Sequence, residues 1–496
     1  MIGRDVIAAT ILTLAALDAA GPARAGDPPR PNILFVIADD WGHGHAGAYG
    51  SDWVKTPAFD RVAREGVLFT NAFTNNPKCS PCRASILTGR NSWQLEEASC
   101  HFGIFPARWP VYPDLLERAG YHVGYTGKGW GPGDFQAGGF ERNPAGPAYN
   151  RFREAPPHRA MAAVDYARNF GDFLSKRRPG QPFCFWYGAQ EPHRPYEEGA
   201  GLRAGRDPAA VKLPAYYPDS PAIRSDFLDY ALEVEWFDAH LGRILTALEA
   251  VGELDETLVV VTSDHGAPFP RGKGQIYENG FHLPLAIRWK AQVKGGRTVA
   301  DFINVRDFAP TFLRAAGLEP AAEMTGRGFL DVLRSEKSGQ VDPSRDRMLV
   351  GKERHDLGRP DDLGYPIRGL RTPEYLYLRN FEPDRWPVGN PETGYRDCDD
   401  GPTKGHILSS FDALYKLNFG KRPAEELYRV DKDPDCVTNL AADPTLAAKK
   451  AALREEMEDL LRKDQDPRIL GKGAVFDTYK YTGPRNHAYE AWLKNR

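Results

Sequence analysis

From Asn32 to Ala38 the chain reads Asn-Ile-Leu-Phe-Val-Ile-Ala, with no alternation of polar and apolar positions after the first. A run of this kind predicts a strand buried on both faces, as in a sheet covered by helices. Shorter or similar runs return at Val67–Phe69, Tyr121–Tyr125, Pro182–Gly188 and Thr257–Ser263. Between them the apolar spacing lengthens to three and four. Phe59, Val62 and Ala63 predict a helix over Thr56–Glu65 that Gly66 stops, and Pro113–Ala119 predicts another closed by Gly120. Phe227–Ala250 places Leu228, Leu232, Val234, Phe237, Leu241, Ile244 and Leu248 on one side and predicts the longest helix. Strands alternating with helices predict an α/β fold, with a large, mainly parallel or mixed sheet sandwiched by helices.

Past Ser335 the pattern changes. Met348–Lys352, Ile367–Arg371, Tyr375–Arg379 and Leu427–Val430 are short alternating segments, and Pro444–Arg462 is an amphipathic helix. They predict a smaller C-terminal antiparallel sheet with a helix, docked on the first unit. The expected division is 26–340 and 341–496. Residues 1–25 read as a signal peptide: Arg4 opens it, Val6–Ala20 is largely apolar although Asp18 interrupts, and Ala23-Arg24-Ala25 offers a cleavage site after Ala25. The run is too short to span a bilayer, Gly26 is no lipidatable cysteine, and no later stretch is apolar enough to span. The expected location is periplasmic or secreted.

A length of 496 residues favours two units over one. A net charge of −3 gives no reason to expect a nucleic-acid partner, so any anion recognition is local. Six scattered cysteines are too few for a disulfide scaffold, and the abundance of Gly and Pro predicts long loops.

The candidate chemistry lies where strands end. Asp39-Asp40 and Asp264-His265 each follow a predicted strand, and open α/β sheets bind ligands at that edge. Three carboxylates brought together would repel unless a hard divalent cation, Ca²⁺ or Mg²⁺, neutralises them; singly, a strand-end cap or turn residue is the commoner role for each. Arg83, Lys128, His193 and Lys273 follow strand ends or sit in Gly/Pro-rich loops, and together would form a cationic pocket for a tetrahedral oxyanion. Cys79-Ser80-Pro81-Cys82-Arg83 precedes a short predicted helix ending at Gly89. A disulfide, a buried thiol and a reactive sulfur in the positive field of the helix start all remain open on these residues alone.

Cys79-x-Pro81-x-Arg83 with Leu87-Thr88-Gly89-Arg90 resembles the signature of the type I sulfatases of the alkaline phosphatase superfamily. Asn32–Asp40, Gly127-Lys128, Pro192-His193, Ser263–Gly266 and Gly272-Lys273-Gly274 match further blocks of that family in order, as do Glu426–Tyr428, Asp433-Pro434 and Asn439–Ala441. The resemblance implies that Cys79 is oxidised to formylglycine by a formylglycine-generating or anaerobic maturating enzyme. It implies one Ca²⁺ held by Asp39, Asp40, Asp264, His265 and modified Cys79, where many members have Asn in place of His265. Arg83 would hold the formylglycine, Lys128 and Lys273 the sulfate oxygens, and His193 would stand near the leaving group. Two positions depart from the family pattern: Trp130 replaces a histidine that commonly serves as a base, and Gln190 replaces another. His43, His45 and His101 are substitutes on loop grounds only. The blocks at Gln190–Arg194 and Asp264–Pro270 look most like the heparan N-sulfatase branch, implying a sulfated sugar or glycosaminoglycan-derived substrate. The Arg and aromatic residues between Arg354 and Arg396 are candidates for a wall against such a sugar. A phosphodiester or phosphonate monoester hydrolase and a non-catalytic glycan-binding relative are the alternatives.

Overall fold

The computed structural model describes residues 30–410, 412–484 and 487–495. The expected signal peptide lies outside them. The main sheet contains β1 (Asn32–Ala38), β2 (Val67–Phe73), β3 (His122–Gly127), β4 (Phe183–Gly188), β5 (Thr257–Ser263), β6 (His282–Arg288), β7 (Arg297–Val299) and the two-residue β8 (Ile303–Asn304). Its order is β3-β4-β1-β5-β6-β2-β7, with β8 pairing β2. β3, β4, β1 and β5 run parallel, whereas β6 is antiparallel to both β5 and β2. The sheet is therefore mixed. The sequence run at 282–288 carries Pro284 and a charged end, so its strand was not legible as a buried run.

Every residue of β1 and β5 is buried, as continuous apolar strands between two helical layers must be. Leu34 and Val36 face one core and Ile33, Phe35 and Ile37 the other. The longest helix begins earlier than its apolar run suggests. It spans Pro221–Ala250, with Pro221 at its first turn and Ser220 Oγ accepting from Ile223 N at 3.3 Å. At full burial each large apolar side chain on its inner face contributes about 1.5–3 kcal/mol.

The second sheet is antiparallel, in the order β12 (Glu425–Arg429), β11 (Tyr375–Asn380), β10 (Ile367–Arg371), β9 (Met348–Lys352). Alternation assigns its faces. Leu370, Tyr377 and Leu427 pack on Leu453, Met457 and Leu461 of the helix Ala447–Lys463. Val350, Ile367, Leu376 and Tyr428 pack against Phe73 of β2 and against Tyr277 and Phe281, which lie just before β6. Among the described residues no helix is long and apolar enough to cross a membrane.

Candidate active site

The parallel ladder brings four loops to one edge. Ala38 is level with Ser263, Ile37 with Gly188, and Gly127 with Gly188. The residues that follow, Asp39-Asp40, Asp264-His265, Lys128 and Gln190–His193, therefore emerge side by side. Gly127 has φ 73°, and a Cβ there would meet Gly188 O at 2.0 Å. Only glycine permits β3 and β4 to close at the point where Lys128 leaves the sheet.

Cys79 is the first residue of a helix, Cys79–Thr88, that is buried along its whole length and closed by Gly89 at φ 64°. The sequence placed the helix start after the cysteine; the structure places the cysteine in its first turn, among amides with no intrahelical partner. Cys79 Sγ lies 3.5 Å from Asp39 Oδ1 and 3.3 Å from His265 Nε2. Burial, then the charge of Asp39, pushes its thiol pKa far up despite Lys128 and Lys273. As an unmodified thiol it is therefore a poor nucleophile. All six cysteines are free and buried. Cys82 packs in the apolar core beneath.

Arg83 is fully buried and holds three groups in place: its Nε donates to Asp264 Oδ2 at 2.9 Å and its Nη1 to the carbonyls of Lys128 and Gly129 at 2.8 and 3.1 Å. Lys128 Nζ donates to Asp39 Oδ2 at 2.5 Å. Lys273 Nζ bridges Asp40 Oδ2 at 2.8 Å and Asp399 Oδ2 at 2.9 Å. Burial alone would raise the Asp39 pKa, but Lys128, Arg83, His193 and Lys273 together hold it well below the usual range. Asp264 goes the other way: burial raises it, His265 opposes, and the charge of Asp39 adds to the rise. Asp40 adopts a left-handed backbone, φ 78°, an uncommon conformation that aspartate tolerates best among ordinary residues. His193 joins Asp40 and Cys79 in a second group whose ligand atoms lie within 4.8 Å of one another. Its Nδ1 pairs with Arg194 O at 2.6 Å.

Asp39, Cys79, Asp264 and His265 also place ligand atoms within 4.8 Å of one another. Asp40 Oδ1 is buried with no hydrogen-bond partner, although it lies 3.2 Å from His265 Nε2. His265 Nδ1 pairs with Gly266 O at 3.2 Å; with the proton on Nδ1, the Nε2 lone pair points among Cys79 and Asp40 as a nitrogen ligand. Burial keeps this imidazole below its ordinary pKa against the pull of Asp264 and Asp40. An orphaned carboxylate oxygen, two further carboxylates and an unprotonated imidazole nitrogen fit a divalent cation, and their oxygen majority suits a hard one.

All the sequence-predicted site residues thus meet at one edge, and a cavity of about 700 Å³ opens over Cys79. The substitutes proposed for the missing histidine fare differently. His43 stacks on His282 at 3.6 Å, and His45 pairs with Tyr230 OH at 3.0 Å, both lining a different pocket. His101 does line the cavity, with Nδ1 2.7 Å from Asp356 Oδ1. Trp130 gives its indole N–H to Ser80 O at 3.0 Å and packs on Phe105, closing the floor. The expected arginine wall is corrected. Arg359, Arg368 and Arg371 are buried in ion pairs with Asp397, Asp466 and Glu278. From the C-terminal part, Asp356 and Asp399 reach the cavity instead. Sequence reading also missed Lys78, buried against Asp356 at 2.5 Å; its position directly before Cys79 was the available signal.

A mixed sheet with carboxylates, cations and a buried helix N-terminus at one strand edge forms a site suited to holding a tetrahedral oxyanion beside a divalent cation. The family model described as Sulfatase matches residues 31–318, more than half the chain, and the chain belongs to the sulfatase family, whose members are sulfuric ester hydrolases. Among curated relatives, the human N-sulphoglucosamine sulphohydrolase is 27% identical over 90% of this chain and 93% of its own length. An ulvan-active sulfatase of Formosa agariphila is 26% identical over 87% of this chain and 74% of its own. Among solved structures, a protein in complex with its substrate D-glucosamine-2-N,6-O-disulfate superposes with TM-score 0.67 at 21% identity, covering 88% of this chain and 98% of that one. The phosphonate monoester hydrolase of Agrobacterium radiobacter superposes with TM-score 0.62 at 21% identity, covering 88% and 97%. At these identities the structures establish the shared fold.

Proposed function

We propose that this protein hydrolyses sulfate esters or sulfamates of sulfated glycans through a formylglycine made from Cys79, with one Ca²⁺ held by Asp39, Asp40, Asp264, His265 and the modified side chain. The observation that carries the reading is the convergence of Cys79, the carboxylates and Lys128 and Lys273 under one cavity. A formylglycine at position 79 would offer, as its hydrate, one hydroxyl able to displace the sugar oxygen or nitrogen from sulfur and a second whose deprotonation would release sulfate and restore the aldehyde. A cation held by these residues would supply Lewis-acid charge for a bound sulfate.

The remaining work falls to this chain's own residues. Arg83 fixes the carboxylate of Asp264 and the Lys128–Gly129 backbone, so the groups around the aldehyde are held before substrate arrives. Lys128 and Lys273 neutralise sulfate oxygens. His193, oriented through Nδ1, protonates the departing oxygen or nitrogen from Nε2. We read residues 26–340 as the catalytic part and 341–496 as a subdomain that lends Asp356 and Asp399. The leader at 1–25 is read as directing export.

An N-sulfated glucosamine is the preferred substrate, on the branch resemblance and the human relative at 27% identity. Desulfation of heparan-type, chondroitin-type and algal oligosaccharides tests it, and release only from the latter two would exclude it. Cys79→Ala should abolish release, while Cys82→Ala in matured protein largely preserves it. Faster turnover of an aryl phosphonate ester than of an aryl sulfate would instead favour the phosphonate hydrolase reading.

A further inference from the structure

Glu233 lies on the helix Pro221–Ala250 and lines the cavity that holds Cys79 and Lys128. The residue is 2% exposed, yet its carboxyl has no hydrogen-bond partner among the described residues. Its acidic neighbours are both satisfied. Glu191 accepts from Ala162 N and Tyr166 OH, each at 2.8 Å. Asp229, one turn earlier on the helix, accepts from Gly199 N at 2.8 Å and Gly201 N at 2.7 Å. Burial, followed by the charges of Glu191 and Asp229, pushes Glu233 up to about 9. At neutral pH it is therefore an uncharged acid with one O–H to donate and a carbonyl oxygen to accept.

A carboxyl with no protein partner that opens only on the cavity takes its hydrogen bonds from whatever fills that cavity, and the charges acting on this one are acidic, so no internal ion pair accounts for it. Its open side is the cavity. A sugar hydroxyl, both donor and acceptor, satisfies such a group. A sulfate or carboxylate offers acceptors only and would bring negative charge beside Glu191 and Asp229.

We propose that Glu233 determines specificity: its carboxyl hydrogen-bonds a hydroxyl of the sugar whose sulfate is held over Cys79, and the same wall rejects a second anionic substituent at that position. This rests on the glycan sulfatase reading above. A site built to bond a hydroxyl discriminates strongly against analogues that cannot answer it, because the buried group is then left unpaired.

The test compares native enzyme, Glu233→Gln and Glu233→Ala on N-sulfated glucosamine, N,6-O-disulfated glucosamine and an aryl sulfate without sugar hydroxyls. Glu233→Ala should lose roughly tenfold or more additional kcat/KM on the monosulfated sugar relative to the aryl sulfate, chiefly in KM. The native preference for the monosulfated over the disulfated sugar should narrow. Glu233→Gln, which still donates and accepts, should retain part of the activity, with a Tm equal to or above the native one. Equal losses on sugar and aryl sulfate, or no loss on the sugar, would overturn the assignment. Native enzyme that releases sulfate from no sugar would sink the glycan reading instead. Calorimetric binding of N-sulfated glucosamine to Cys79→Ala protein, with and without Glu233→Ala, then decides Glu233: weaker binding in the double variant upholds it, and equal affinity or equal absence of binding overturns it.

Discussion

Replacing Lys128 by alanine separates a role in sulfate binding from a role in holding the site together. Lys128 Nζ has one short partner, Asp39 Oδ2 at 2.5 Å, and the side chain is 19% exposed to the cavity. Removing one member of a buried ion pair costs about 3–5 kcal/mol when the other charge is stranded. Asp39 is not stranded, because Arg83 Nη2 remains 3.6 Å away and Lys273 and His193 still act on it. The stability loss should therefore fall nearer the roughly 1.5–3 kcal/mol of a single lost hydrogen bond to a charged group. If Nζ also meets a sulfate oxygen in the transition state, turnover loses about 2.7–4 kcal/mol, or roughly 10²–10³ in kcat. The assay is kcat and KM on an aryl sulfate and on N-sulfated glucosamine, with aldehyde content at residue 79 matched by mass spectrometry. Urea unfolding of the same preparations supplies the stability change. Lys128→Arg keeps the charge and should recover part of the rate. A kcat loss below about tenfold at equal aldehyde content would refute a sulfate-binding role for this lysine.

Chelation of divalent cations should lower both activity and Tm, and Ca²⁺ should restore them, since a ligand bound only by the native state adds to stability; unchanged Tm after exhaustive chelation would count against a structural cation. Burial, with Arg359 and Lys78 adding and Asp397 opposing, brings Lys352 down to about 7. Between about pH 7 and its unfolded value near 10.5 the unfolded chain thus binds more protons, so stability rises with pH across that window. Lys352→Met should abolish that rise, and an unchanged pH slope in the variant would show the effect lies elsewhere. Trp130→His restores the histidine of the family pattern but removes a buried indole bonded to Ser80 O. It should cost about 3 kcal/mol or more in stability without raising kcat; a gain in kcat would show that the site lacks a base there.

Much of this site was readable before any coordinates, for a definite physical reason. Continuous apolar strands announce themselves, and a parallel sheet sends the residues after each strand to one edge, so Asp39, Lys128, His193 and Asp264 could be grouped from spacing alone. Cys79 required the family resemblance, because a Cys-x-x-Cys carries several chemistries. What stayed hidden depends on long-range contact. Asp399 lies in a run of acidic residues with nothing to mark it, yet it meets Lys273 across 126 positions. Asp356 likewise meets His101 and Lys78 only once the small sheet docks. The arginines after 354 were misread because sequence gives no sign that Arg368 is buried between Glu353 and Asp466. Glu233 follows the helical pattern as an ordinary polar position, and only its burial without a partner sets it apart.

Dependence of catalysis on an aldehyde at position 79 is open to one direct titration. Preparations made with increasing amounts of a maturation enzyme would be digested, and the peptide containing residue 79 weighed for thiol against aldehyde, while sulfate release is measured on the same samples. With an aldehyde as the nucleophile, kcat should rise in proportion to the aldehyde fraction and extrapolate to zero when only the thiol is present. Substantial sulfate release from protein whose Cys79 is entirely unmodified would contradict that dependence.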